Sequence, residues 1–213
     1  MVAILIDSYP ESNSNGSFPL SRFDPGVAQS FLGTGDRLRL ATFQMYSFDS
    51  PLENLRAKLY THAGIFGTSS VPTGSPLVVS EPISGTVLTS TPTLYTFRFK
   101  NQPILTNGVP YCISVETEEF TGFEQINVGR ETGSPTHPGN WSSNYGGWYP
   151  NSLRDLIFYL YDIIPVGFNL QLGLSSPKVL PVQQQAPLQL SLATQQLTSL
   201  ELVQRAQITL ELE

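Results

Sequence analysis

Tyr95, Phe97 and Phe99 alternate with Thr96, Arg98 and Lys100, and this period of two is the feature that most limits what the chain can become. Successive side chains of a strand point to opposite faces, so such a segment makes a half-buried strand with rings on one side and polar groups on the other. The same period recurs in Leu55, Ala57 and Leu59 against Arg56 and Lys58, and again in Tyr111, Ile113 and Val115. Val27–Phe31, bounded by Pro25-Gly26 and Gly33, and Leu77–Val79, between Pro76 and Pro82, read as shorter strands. Leu38–Tyr46 is long enough to cross a sandwich, and its apolar positions change phase midway, which predicts a bulge. Leu156–Tyr161 is apolar on both faces and is expected to lie centrally.

Turn chemistry separates these runs at Pro72-Thr73-Gly74, Ser84-Gly85, Asn107–Pro110 and Gly146-Gly147. No amphipathic helix of ordinary length precedes residue 163. Charged residues are only 13%, about half the usual share, while Gly and Pro number 17 each. Surface helices need Glu, Lys and Arg, so this composition favours strands and turns. It also suits a surface that packs on other proteins. The pattern predicts an all-β, antiparallel sandwich whose aromatic inner faces stack into a core.

The expected organisation has three parts. Residues 1–24 hold an apolar strand, Val2–Ile6, and a polar, turn-rich stretch, Ser8–Ser17, read as an irregular tie before the domain. Residues 25–162 form the sandwich. Residues 163–213 form a β-rich arm: no aromatic follows Phe168, Gln becomes frequent, and Pro165, Pro177, Pro181 and Pro187 interrupt the segment. Three echoes alternate Leu or Ile with polar residues: Leu170, Leu172 and Leu174, then Leu188, Leu190 and Leu192, then Ile208, Leu210 and Leu212. A segment without aromatics makes a poor independent core, so the arm is expected to borrow one and to serve oligomerisation or anchoring.

Several features resemble a known module in their order. They are Gln29-Ser30-Phe31, Leu55–Tyr60, Pro72-Thr73-Gly74-Ser75-Pro76-Leu77, Tyr95–Phe99, Leu105–Ile113, Trp148 and Asp155–Tyr161. Residues 27–161 thereby resemble the jelly-roll, galactose-binding-like sandwich of phage virion proteins and bacterial surface proteins. The opening Leu5–Asn13 and the Leu-Gln-Leu echoes resemble parts of phage-encoded versions; the His-rich spacers of longer versions are missing here. The resemblance implies a jelly-roll topology and a structural, decorating or adhesive role, and it brings no catalytic residues. The expectation is a non-enzymatic virion protein, in a capsid decoration or tail-associated position, that assembles with other virion subunits and with its own copies. The opening segment lacks a basic n-region and is short for a signal peptide, so assembly in the host cytoplasm and release by lysis is the expected route to the virion.

The functional candidates are few. Both tryptophans fall in Asn140–Pro150, where rings and amides stand close together, as sugar recognition requires. Trp141, Asn144, Tyr145 and Tyr149 are the carbohydrate-binding candidates, while Trp148 lies in a module core motif and is expected to close the core. The competing reading packs Trp141 under the loop. Glu116, Glu118, Glu119 and Glu124 read as a solvated acidic loop. A structural Ca²⁺ in a loop stays open with no ligand assigned, and no other cofactor is expected. The single cysteine, Cys112, sits in an apolar run and reads as a small buried hydrophobe. His62 and His137 lack Cys or His companions, which argues against zinc, and His137 reads as an exposed loop residue. The net charge of −6, with no basic stripe, argues against nucleic acid, and no apolar run is long enough for a membrane helix.

Overall fold

The computed structural model of the chain describes residues 2–49, 51–118 and 125–164. The arm positions Leu170, Leu172, Leu188, Leu190, Leu192, Ile208 and Leu210 lie outside the described residues, as do Glu119 and Glu124. The strands are β1 (Val2–Tyr9), β2 (Gly16–Leu20), β3 (Gly26–Leu32), β4 (Leu40–Ser47), β5 (Asn54–Ala63), β6 (Val71–Val79) and β7 (Ile83–Ser84). They continue as β8 (Thr93–Arg98), β9 (Pro110–Thr117), β10 (Ile126–Thr132), β11 (Trp141–Asn144), β12 (Trp148–Asn151), β13 (Arg154–Leu156) and β14 (Phe158–Ile164). Helical structure among the described residues is confined to short 3-10 turns at Glu11–Asn13 and Gly85–Val87.

The strands make two antiparallel sheets of seven, a β-sandwich. The first runs β1-β14-β4-β10-β13, with β8 also on β4 and β2 also on β10. The second runs β12-β11-β3-β9-β5-β6, with β7 on β5. The alternating residues build the core as their period requires: Leu55, Ala57, Leu59, Ile113, Val115, Val27 and Phe31 from the second sheet meet Ala41, Phe43, Met45, Phe97 and Leu160 from the first. Phe43 and Phe97 meet edge to face at 5.9 Å, a geometry that adds to their burial.

Four local expectations are revised. The N-terminal segment is no tie: β1 pairs with β14 from Val2↔Ile164 to Tyr9↔Phe158, and β2 pairs with β10, so both belong to the first sheet. Their partners lie more than a hundred residues away, beyond the reach of local pattern. Pro72-Thr73-Gly74 is part of β6, which follows β5 through a register shift between Leu59 and Thr61; Gly74, at φ +70°, supplies the irregular backbone. The Leu38–Tyr46 run holds no bulge. Instead β4 changes neighbours at Gln44: residues 40–43 pair with β14 and residues 45–47 with β10. The Leu156–Tyr161 run is split at Ile157, whose carbonyl accepts from Gln44 and whose N–H donates to Gly129. There the chain passes from β13, which pairs with β10, to β14, which pairs with β4.

The connections fix two ends. Val2 and Ile164 pair at one end, which we call proximal, together with the start of β4 (Leu40↔Tyr161) and the Leu32–Leu40 connection. Ser47, Asn54, Thr117, Gly26 and Asn144 fall at the opposite, distal end, because successive pairs place Leu55 beside Thr117, Glu116 beside Gly26 and Gly26 beside Asn144. The hairpin tip Tyr145–Gly147 is therefore distal.

The aromatic seam should dominate stability. Phe97→Ala is expected to cost about 3–5 kcal/mol in urea unfolding, whereas Tyr145→Ala, at the exposed tip, should stay within about 0.5 kcal/mol of the parent. Equal effects at the two positions would contradict this packing.

Candidate functional site

In the β11–β12 hairpin, Trp141 pairs with Asn151, Ser142 with Pro150, Ser143 with Tyr149 and Asn144 with Trp148. Directly paired residues share a face, so Trp141, Ser143, Tyr149 and Asn151 point to one side and Ser142, Asn144, Trp148 and Pro150 to the other. Trp141 faces the core, is 2% exposed and packs edge-on against Phe18 at 5.2 Å. It offers no open ring face to a sugar, and its place among the binding candidates is corrected. Tyr145, at the tip, and Tyr149 are 59% and 57% exposed. The four candidates thus split among core, tip and two faces, and form no single platform.

Trp148, expected in the core, is half-buried on the outer face of the second sheet, and its ring lies 6.2 Å from that of Tyr60 in β5. Four strand spacings separate β12 from β5, about 19 Å in a flat sheet. The contact therefore requires the sheet to curl over its own outer face. The floor permits it: Gly26, Ala28, Ser30, Cys112, Ser114 and Ser142 are all small, and all are buried although they face away from the core. Burial pushes the Cys112 thiol up to about 12, so it remains an unreactive part of this floor.

One cross-strand row on this face reads Trp148, Asn144, Gly26, Glu116 and Arg56. A Cβ on Gly26 would stand 2.5 Å from the Glu116 Cγ, so only glycine leaves room for that carboxylate to lie across β3. Glu116 is buried and accepts from Lys58 Nζ at 2.7 Å, Tyr60 Oη at 2.8 Å and Ser114 Oγ at 2.6 Å. This corrects the solvated-loop reading for Glu116; Glu118 pairs with Arg56. Burial, and then the Glu116 charge, raise the Tyr60 phenol well above its ordinary value and keep it protonated as a donor. Arg56 also lines an open polar cleft of about 390 Å³ with Ser80, Glu81 and Lys100. The half-buried Trp148 ring, beside an amide and a held carboxylate, can stack on a sugar face while the polar groups meet its hydroxyls. The alternation of Arg56, Lys58 and Tyr60 carried a sequence signal for this face; the curl that brings Trp148 to it did not.

His137 is not exposed. Its side chain is 2% accessible and sits among Asp7, Gln29 and Asp155, brought from three strands. Gln29 Nε2 donates to Asp155 Oδ1 at 2.7 Å while Gln29 Oε1 accepts from Leu156 N at 2.9 Å, which fixes the amide orientation. Gln29 Nε2 and Gly139 N then both donate to His137 Nδ1, leaving Nε2 to donate its proton to Asp7 at 3.1 Å. Tyr9 adds its hydroxyl to Glu131 beside this cluster. Every group is satisfied within the protein, so the cluster pins β1, β3 and β13 together. His62 bonds Ser70 Oγ at 2.9 Å. Among the described residues no group of His, Cys, Asp and Glu is placed to hold a metal ion.

Among known proteins, no family model, no curated protein and no solved structure matches the chain.

Asp155 gives the sandwich a pH signature. Burial pushes its carboxyl up to about 6, against an ordinary value of 3.8, although Gln29 and His137 act the other way. Because the folded value is raised, stability is fully present below the unfolded value and is lost as pH rises through about 6. The Asp155 contribution should fall by up to about 3 kcal/mol across that window. Denaturation series at several pH values should show this slope in the parent and a shallower one in Asp155→Asn; parallel slopes would remove Asp155 as its source.

Proposed function

We propose that the chain is a non-enzymatic structural subunit of a bacteriophage particle, in a capsid decoration or tail-associated position. In this reading the sandwich has a jelly-roll, galactose-binding-like topology and is displayed outward, while residues 163–213 mediate assembly with neighbouring subunits. The observation that carries the reading is the polarity of the sandwich: β14 ends at Ile164, beside Val2, while the Tyr145 hairpin lies at the opposite end. A module tethered at its proximal end presents its distal loops away from the anchor. The burial of Cys112 and His137 within satisfied surroundings further supports a role without catalysis.

The test compares the full chain with one ending at Ile164. Among the described residues the core spans Ile6 to Leu160, all of it within the shortened chain. Light scattering should give an oligomer for the full chain and a folded monomer for the shortened one. A monomer in both cases, or an oligomer in both, would remove the assembly role of residues 163–213.

The curled outer face favours a second reading, a carbohydrate-binding adhesin that recognises surface glycans. Trp148 would stack on the sugar, with Asn144 meeting hydroxyls. Glycan-array binding should then be lost in Trp148→Ala and retained in Tyr145→Ala. Absence of binding to any glycan, or binding indifferent to Trp148→Ala, would count against it.

A further inference from the structure

Buried charge in this sandwich is generally paired, as it must be where water is excluded. Arg130 and Arg154, both half-buried, depart from that rule. The β10–β13 register puts Thr132 opposite Arg154 and Leu156 opposite Arg130, so the two guanidinium groups are diagonal neighbours on one face. Phe18, opposite Val128 on β2, lies on the same face. The Arg130 guanidinium carbon lies 5.4 Å from the Phe18 ring centroid, and that of Arg154 lies 5.2 Å from the Trp141 centroid. With the Phe18–Trp141 contact at 5.2 Å, the four side chains form one continuous cluster. Among the described residues no carboxylate forms an ion pair with either arginine. Arg130 Nε and Nη1 and Trp141 Nε1 are buried with no hydrogen-bond partner.

We propose that Arg130, Arg154, Phe18 and Trp141 form a binding site for an oxyanion, a carboxylate or sulfate group such as an acidic sugar carries.

Three features of the geometry converge on a negative ligand. Two like charges stand side by side without a counter-charge, and burial with the neighbouring Arg154 lowers the Arg130 guanidinium from its ordinary value. Such a pair is unfavourable until an anion lies between its members. The cation–π contacts give neither guanidinium an acceptor, and Arg130 Nε and Nη1 stay without a partner, donors of the kind that a carboxylate or sulfate satisfies in a planar fork. The unpartnered indole N–H of Trp141 adds a neutral donor of the kind that completes an anion's coordination. The hairpin register places Ser143, Tyr149 and Asn151 on Trp141's side of the second sheet. Tyr149 is diagonal to Trp141 and open to solvent, so an anion carried on a sugar ring finds a stacking surface beside the charge site. The site is separate from the Trp148–Tyr60 face and does not depend on the assembly reading.

The indole N–H of Trp141 reports on the site directly. The chain has 2 tryptophans, so a nitrogen–proton correlation spectrum of the labelled full-length protein shows two indole signals, assigned with Trp148→Phe. Sodium sulfate, sodium glucuronate and glucose would be titrated at ionic strength held constant with sodium chloride. The Trp141 signal is expected to move saturably with sulfate and glucuronate and to stay fixed with glucose. Arg154→Gln should weaken binding by roughly tenfold or more, and Arg154→Lys, which keeps the charge but loses the fork, should weaken it less. Tighter binding of glucuronate supports an acidic sugar as ligand, and equal binding supports a site that reads the oxyanion alone. A Trp141 signal indifferent to both anions overturns the proposal, as does binding unchanged by both Arg154 substitutions.

Discussion

Every strand of the first sheet is tied to β4, either directly or through one neighbour. β8 pairs along one edge of it, while β14 and β10 share the other, and β1, β2 and β13 attach through these. A strand in that position must satisfy hydrogen bonds on both edges and be covered on both faces. Ala41, Phe43 and Met45 supply the inner face. On the outer face Thr42 meets the Thr96 hydroxyl at 2.9 Å, and Gln44 accepts from Ser14 at 2.8 Å. Gln44 stands where β14 ends and β10 begins. The side chain passes over Gly129 so closely that a Cβ there would lie 2.2 Å from its Oε1. The junction therefore depends on one glutamine, one glycine and the Ile157 backbone.

This junction explains what could be read from the sequence. Alternation within a strand is a local property, so Leu55–Leu59, Tyr95–Phe99 and Tyr111–Val115 announced both their strand state and their inward residues. A change of neighbour at Gln44 is not local. The apparent phase change in the Leu38–Tyr46 run has a different source: Leu38 is buried just before β4 begins, while Ala41, Phe43 and Met45 keep one phase within it. The N-terminal strand was visible as an apolar run, but its membership of the sheet follows from a partner at residues 158–164.

The functional residues show the same division. Trp141 and Trp148 are seven positions apart on either side of a hairpin, and the cross-strand register sends them to opposite faces. The sequence offered Trp141 to a ligand and Trp148 to the core, and the register reverses that assignment. His137, within a Pro and Gly-rich loop, carried every local sign of exposure. Its burial comes from Asp7, Gln29 and Asp155, which meet it from strands far apart in the chain. Glu116 was likewise grouped with its neighbours in sequence, whereas its partners Lys58 and Tyr60 belong to the adjacent strand.

Set side by side, these buried polar groups obey one rule with two outcomes. Glu116 has three donors, and Asp162 takes the Arg39 guanidinium at 2.7 Å and the Arg37 N–H at 3.3 Å. Asp155 has Gln29 and the His137 backbone. For these anions the protein supplies compensating donors, and the result is rigid attachment between strands. The half-buried cations Arg130 and Arg154 receive aromatic faces, and at Arg130 this shields the charge while leaving Nε and Nη1 without an acceptor. A fold able to complete the coordination of buried carboxylates on both sheets could have placed a carboxylate beside this pair. That it places two rings and an indole N–H there makes the pair better suited to an acceptor brought from outside than to holding the sandwich together.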